Sequence, residues 1–386
     1  MHIGLIAPPW VATPPPEYGG TELVVGELAV GLVAAGVQVS LFATGDSTSP
    51  VHRGWHHPRA LGTGFRPRPE LEHVEAAYGF LLDAGVDLVH DHTILGPHWA
   101  RKRNLPVPIV TTNHGPFIPR MAAHFSRVHR MGVTVVGISH AHAATAPPGV
   151  VGRVIHHGLD PSRYPVGRGD GGYVAFLGRM CEEKGPHRAI LAARKAGIPI
   201  RLAAKVAEPA ERAFFEEHVE PLLGPDAVFL GEVGHDAKVE LLQGAMALVN
   251  PIRWNEPFGL VMIEAMLCGT PVVGFPEGAA RELIEDGVTG YRCLDEDDIA
   301  RALLDIGSID RAACRVRAVE RFSTGRMVAD HLDLYRQVLG QPVDAARPAV
   351  HRAPAALGVP PRRRSRVRAR AAAARRRAQP PEAAAT

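Results

Sequence analysis

NEPFGLVMIEAM, residues 255–266, carries a carboxylate where bulk physics would not put one. Glu264 is the only charged residue between Pro257 and Pro276, and its neighbours are Leu260, Val261, Met262, Ile263, Ala265, Met266 and Leu267. The pattern predicts a helix opening at Gly259 or Leu260 that is apolar on nearly every face, and such a helix is buried. A buried carboxylate must find hydrogen-bond donors or it is costly to keep. Glu256 stands eight residues earlier, just before the helix begins. The plain reading is a core helix whose two glutamates make structural hydrogen bonds. Two carboxylates bracketing a glycine-opened helix N-terminus point instead to a reader of hydroxyls and phosphate.

Working outward, short apolar runs alternate with helical stretches. YVAFLG (173–178), IRLAAKV (200–206), AVFLGEV (227–233) and ALVNP (247–251) precede the quoted stretch, and PVVGF (271–275) follows it. Helices are expected over 187–197, 210–223 and 235–245. An earlier series holds HIGLIA (2–7), a helix from Gly20 to about Ala35, QVSLFAT (38–44), DLVHDH (87–92), PIVTTNH (108–114) and VTVVGIS (133–139), and RVIHHGLD (153–160) closes it. VGRGDGG (166–172) separates the two series. Repeated βα units with near-continuous apolar strands imply parallel sheets covered on both faces. The fold class is therefore α/β, with two doubly wound Rossmann-like domains, 1–165 and 171–325, facing across a cleft. A C-terminal helix over 326–341 follows, then a basic Ala/Arg/Pro-rich tail over 342–386 that is expected to be disordered. Ligands of open α/β sheets bind at the carboxyl ends of the strands.

At 386 residues the chain can build two substantial cores. Its net charge of +3 conceals an asymmetry: from Pro342 onward there are 11 Arg and 2 acidic residues, which leaves the body at −6. An acidic body argues against a nucleic-acid-binding core. No segment reaches the ~18 uninterrupted apolar residues of a membrane span. MHIGLIAPPW has no basic n-region and its apolar run stops at Pro8, so it reads as a first strand rather than a signal peptide. Four scattered cysteines (Cys181, Cys268, Cys293, Cys314) fit reduced thiols of a cytoplasmic protein better than a disulfide framework or a zinc site. Ala- and Arg-rich usage fits a high-GC bacterial source.

LGRMCEEKG (177–185) sets Arg179 at a strand's carboxyl end and Lys184 five residues later. Two cations there can hold a diphosphate, Arg as a planar fork and Lys as a point charge. The alternative is a solvated turn in which Glu182 and Glu183 neutralise both. YGGTE (18–22) ends the long first loop; Gly19 and Gly20 let backbone N–H groups approach a phosphate, unless Thr21 or Glu22 simply caps the helix. It is neither GxGxxG nor a P-loop. His114, ending TTNHGPF (111–117), should face the cleft as a neutral ring able to bond a sugar hydroxyl. VHDH (89–92) invites a metal reading, but no third ligand cluster or HExxH helix accompanies it. No GxSxG elbow or Cys–His pair marks acyl chemistry.

With these motifs assembled, residues 1–340 resemble the family 4 glycosyltransferases, retaining nucleotide-sugar-dependent enzymes of the GT-B fold. The resemblance rests on YGGTE, on the Arg179–Lys184 pair, and above all on E-x7-E at Glu256 and Glu264, with Pro257 where the family's EGFG form has Gly. It implies that Arg179 and Lys184 bind the donor diphosphate and that Gly19 and Gly20 approach it from the first domain. Glu256, with the backbone N–H groups of Phe258, Gly259 and Leu260, would hold the donor sugar. Glu264 would take the ribose hydroxyls, His114 would contact the sugar near the reacting carbon, and GEVGHD (231–236) would border the base. It further implies transfer of a hexose, UDP-glucose first and GDP-mannose next as donor, to a sugar, lipid or small-molecule acceptor. No cofactor and no metal are expected, because the cations serve in a metal's place and no DxD-type motif is placed to contradict that. Lacking an obvious covalent nucleophile, the chain fits a front-face route. The alternatives are a nucleotide-sugar epimerase, a phosphorylase (for which no pyridoxal lysine is marked) and a non-enzymatic nucleotide-sugar-binding scaffold. The Arg-rich tail either meets an anionic membrane peripherally, or nucleic acid, or is a solvated extension with no partner.

Overall fold

A computed structural model describes residues 1–62 and 64–342. The first lobe is built on β1 (His2–Ile6), β2 (Gln38–Ala43), β3 (His52–Trp55), β4 (Leu88–Asp91), β5 (Ile109–Thr112), β6 (Thr134–Gly137) and β7 (Val151–Val154). The second carries β8 (Val174–Arg179), β9 (Ile200–Lys205), β10 (Ala227–Phe229), β11 (Leu248–Asn250), β12 (Val272–Gly274) and β13 (Gly290–Arg292). The sheet orders are β3-β2-β1-β4-β5-β6-β7 and β10-β9-β8-β11-β12-β13. All pairings are parallel. Strand order reverses direction between β1 and β4 and between β8 and β11, and such switch points open the crevice in which ligands sit.

The central strands are buried along most of their length, as sheets covered on both faces require. One continuous core fills the second lobe, from Val174 and Phe176 to Met262, Ile263, Met266 and Phe322. In the first lobe the faces are filled separately, one around Leu5, Val25, Leu28 and Leu41 and the other around Ile6, Tyr78, Leu81 and Val89. Cys181, Cys268, Cys293 and Cys314 are free thiols, the last three buried.

Several boundaries differ from the expectation. The helix expected over 326–341 runs Thr324–Val338, and begins earlier because the Ser323 hydroxyl caps its first turn by accepting from Arg326 N. It returns to the first lobe, where Met327, Val328, Leu334 and Tyr335 join the core against the helix Gly20–Ala34. The helix expected over 210–223 is regular only through Pro209–Phe214; a π turn at Phe215–Val219 and a 3-10 turn at Glu220–Leu222 follow. Pro221 lacks an N–H and crowds the carbonyl four residues back, which breaks the regular ladder. RVIHHGLD is strand only as far as Val154, and AVFLGEV only over Ala227–Phe229. No described helix is long and apolar enough to cross a membrane. The Arg-rich tail lies, from residue 343, outside the described residues.

Candidate active site

A cleft of about 520 Å³ opens at the carboxyl ends of both sheets. The residues singled out in the sequence all line it: Gly19, Gly20 and His114 from the first lobe, and Arg179, Lys184, Glu256, Phe258, Gly259, Leu260 and Glu264 from the second. Two helix N-termini face each other there. The helix Gly20–Ala34 begins so close to the helix Leu260–Leu267 that a methyl group added to Gly20 would stand 3.2 Å from Leu260 Cδ1. Gly259 turns the chain into the second helix at φ 89°, a left-handed conformation that suits glycine. Unpaired N–H groups and aligned peptide dipoles make this a ready place for an anion.

Lys184 and Glu256, assigned to different groups of a ligand from sequence, meet directly. Lys184 Nζ donates to Glu256 Oε2 at 2.5 Å, and Trp254 Nε1 donates to the same oxygen at 2.7 Å. The ammonium also stands 5.7 Å above the Trp254 ring. Arg179 is more open, with a 3.5 Å contact to Glu211 and a side chain 38% exposed. The carboxylates paired with these two cations are thus Glu256 and Glu211, in place of the Glu182 and Glu183 of the solvated-turn alternative.

Glu264 finds the donors that its burial demands. Tyr164 Oη donates to Oε1 at 3.1 Å, and Lys238 Nζ reaches the same atom at 2.5 Å. Burial first, then the adjacent carboxylate, raise the Tyr164 hydroxyl above its ordinary range, so it stays protonated as a donor. Both contacts fall on Oε1; Oε2 accepts no bond from the described residues. Glu22 lines the cleft too, and burial pushes its carboxyl up to about 7.

His114 sits in a histidine array. Its Nε2 lies 2.9 Å from His92 Nδ1, and its ring stacks on His157 at 5.2 Å. His157 in turn meets Phe258 edge-on at 4.9 Å, which carries the stack into the second lobe. Burial lowers the His114 pKa to about 3, with the neighbouring imidazoles adding to it, so the ring is neutral. Of the VHDH residues, His90 and Asp91 spend their polar side-chain atoms on the protein. His90 bonds the Tyr335 and Thr112 hydroxyls at 2.7 and 2.8 Å, and Asp91 accepts from Tyr78 Oη and from Thr93. A separate His/carboxylate group, His140, His156 and Glu282, has its candidate ligand atoms within 4.8 Å of one another. There Glu282 accepts from the His140 and Ala141 backbone N–H groups at 3.1 and 2.9 Å and from His156 Nε2 at 2.8 Å. That contact clasps the two lobes together, next to Ser139 Oγ donating to the Pro257 carbonyl at 2.7 Å.

Sequence reasoning missed Lys238, Tyr164, Trp254 and His157 as cleft or supporting residues, and read His92 only as part of a metal-ligand possibility. Lys238 was findable as the one cation of the helix His235–Gly244, just past the GEVGHD loop, and Trp254 from its place two residues before Glu256. Tyr164 had no signal, since only the fold brings it to a helix 100 residues away.

Two facing doubly wound lobes with cations, carboxylates and paired helix N-termini at one cleft are the GT-B arrangement. Two family models match in tandem, Glycosyltransferase Family 4 over residues 18–163 and Glycosyl transferases group 1 over 165–316. The chain belongs to the family 4 glycosyltransferases. It is 26% identical over 412 residues to a D-inositol 3-phosphate glycosyltransferase of Arthrobacter sp. (strain FB24), covering 88% of this chain and 94% of that protein. It is also 26% identical over 303 residues to a glycogen synthase of Mycobacterium tuberculosis, covering 70% of this chain and 67% of the relative. In fold it matches a sucrose-phosphate synthase from Thermosynechococcus elongatus with a TM-score of 0.71 at 24% identity, over 88% of this chain and 99% of the other. These matches make the chain an enzyme of the glycosyltransferase class.

Proposed function

We propose that the protein is a retaining hexosyltransferase that uses a nucleotide-diphosphate sugar, UDP-glucose first and GDP-mannose next, without a metal ion. The observation that carries this reading is the Lys184–Glu256 pair at 2.5 Å, set at the mouth of the helix that holds Glu264. Lys184, Arg179 and the N–H groups of Phe258, Gly259 and Leu260 bind the diphosphate and donor sugar. Gly19 and Gly20 close on the phosphate from the first lobe. Glu256, released by Lys184, accepts from the sugar, and the unshared Oε2 of Glu264 accepts from the ribose hydroxyls. His114 contacts the sugar near its reacting carbon.

The glycosyl–phosphate bond breaks through an oxocarbenium-like state while negative charge builds on the departing diphosphate. Preorganised donors lower that barrier electrostatically, one donor being worth roughly 10²–10³ in rate. The acceptor hydroxyl attacks from the face the nucleotide leaves and passes its proton to the leaving phosphate, which retains the anomeric configuration. The experiment is turnover of UDP-glucose in the presence of chelator, with the product anomer read by NMR. An α product formed in chelator supports the reading. An inverted product, activity abolished by chelator, or a glycosyl-enzyme adduct in the mass spectrum overturns the corresponding step.

The acceptor, a sugar, lipid or small molecule, approaches from the first lobe. The basic tail adds peripheral contact with anionic lipid, which vesicle pelleting of the full chain against one ending at Gly340 tests.

A further inference from the structure

His114 is held from behind by His92, which follows β4 as His114 follows β5. Across the 2.9 Å contact between His92 Nδ1 and His114 Nε2, one ring donates and the other accepts, so the two tautomers are linked. In one arrangement His92 carries its proton on Nδ1 and donates it to His114 Nε2. His114 then carries its own proton on Nδ1, the nitrogen that bonds none of the described residues, on a ring that lines the cleft. In the other arrangement His114 donates from Nε2, its Nδ1 is a bare base, and His92 must carry its proton on Nε2.

His92 Nε2 decides between the two. That atom is buried and has no hydrogen-bond partner among the described residues, on a side chain only 5% exposed. The His92 ring packs on His90, centroids 4.1 Å apart, and both His90 nitrogens are already bonded to the Tyr335 and Thr112 hydroxyls. Either defect costs the desolvation of a buried group, but in folded backbones an orphaned buried N–H is the rarer of the two, and we take the same preference for the imidazole. Burial, reinforced by the neighbouring imidazoles, lowers the pKa of both rings, so a charged pair does not arise to blur the choice.

We infer that His92 fixes His114 as the Nδ1–H tautomer, so that His114 meets the sugar as a hydrogen-bond donor and not as a base. This rests on the reading of His114 as a residue that contacts the donor sugar. His92 itself is a positioning residue. Its role leaves the acceptor proton to the departing phosphate and gives His114 the task of bonding a sugar oxygen.

The direct test is a two-bond ¹H–¹⁵N spectrum of the full chain with ¹⁵N-labelled histidine, in which His114→Gln assigns the His114 signals. Nδ1 protonated and Nε2 bare is the expected pattern for His114; the reverse pattern, or both nitrogens protonated, overturns the inference. A second readout compares His92→Asn with His92→Asp in turnover of whichever of UDP-, GDP- and ADP-glucose binds. Asn can still donate to His114 Nε2, whereas an ionised Asp can only accept there and so puts a proton on Nε2, in the opposite tautomer or the imidazolium. The Asp variant should lose about 10- to 100-fold in kcat, as a misplaced group does, and the Asn variant should lose clearly less. Equal losses overturn the inference. Full turnover by His114→Gln would instead overturn the sugar-contact reading, with the spectrum still deciding the tautomer.

Discussion

At the residue scale the site depends on charge that is held ready and partly paired. Lys184 is bonded to Glu256, so its removal takes away a cation for the diphosphate and the partner that orients the sugar-reading carboxylate. Lys184→Ala should lower kcat by roughly 10²–10³ while circular dichroism shows the fold intact; near-normal turnover would refute its role. Glu22 gives a pH-dependent signature. Burial raises its carboxyl from 4.5 to about 7, its own backbone N–H drawing it part of the way back. Between those values the folded chain keeps a proton that the unfolded chain has shed. The stabilisation is therefore full below 4.5 and lost as pH rises through 7. Relative to Glu22→Gln, wild-type stability should fall by on the order of 3 kcal/mol from pH 4 to pH 8. Urea unfolding across that range measures it, and a pH-independent difference would contradict the assignment. The E-x7-E carboxylates were legible in sequence because an isolated charge in an apolar run has few explanations. The direct Lys184–Glu256 pair was not, since nothing local says that residues 72 positions apart meet.

At the element scale the decisive piece is the helix Leu260–Leu267 and the glycine that opens it. A side chain at Gly259 would be strained at φ 89°, and its Cβ would stand 2.5 Å from Met262 Cε. Gly259→Ala should cost about 1–3 kcal/mol in stability and weaken donor binding at least several-fold by moving the helix's first N–H groups. Urea unfolding and calorimetry read the two effects; unchanged donor affinity would mean that this N-terminus does not face the ligand. Helices with a strong apolar face and buried central strands were visible as patterns in the chain. β3 and β13 were not, because edge strands are short and half-solvated, and HRGW and GYR show no apolar alternation. The break in the helix after Phe214 was missed because the hydrophobic pattern runs on past it, although Pro221 gave the signal.

At the scale of the whole molecule, two lobes must meet for the cleft to be complete, and of the contacts that tie them two stand out. The helix Thr324–Val338 crosses back to pack on the first lobe, against Gly31, where an added methyl would stand 2.6 Å from Val328 Cγ2. No local pattern reveals that return, since it depends on contacts about 300 residues apart. The second tie is Glu282, which accepts from His140 N, Ala141 N and His156 Nε2. Glu282→Ala removes this shared acceptor and should cost roughly 1–3 kcal/mol. It should also raise the donor KM more than it lowers kcat, because the lobes close less often around an otherwise intact site. A variant with lowered kcat and unchanged KM would place Glu282 in the chemistry instead. The central claim is that this cleft binds a nucleotide sugar through its own cations and carboxylates. Its most direct test is calorimetric titration of UDP-, GDP- and ADP-glucose in chelator, into the wild type and Glu264→Gln. Binding of one of the three to the wild type, weakened at least tenfold in the variant, is the predicted result. No binding by any of them, or equal binding by both chains, would contradict it.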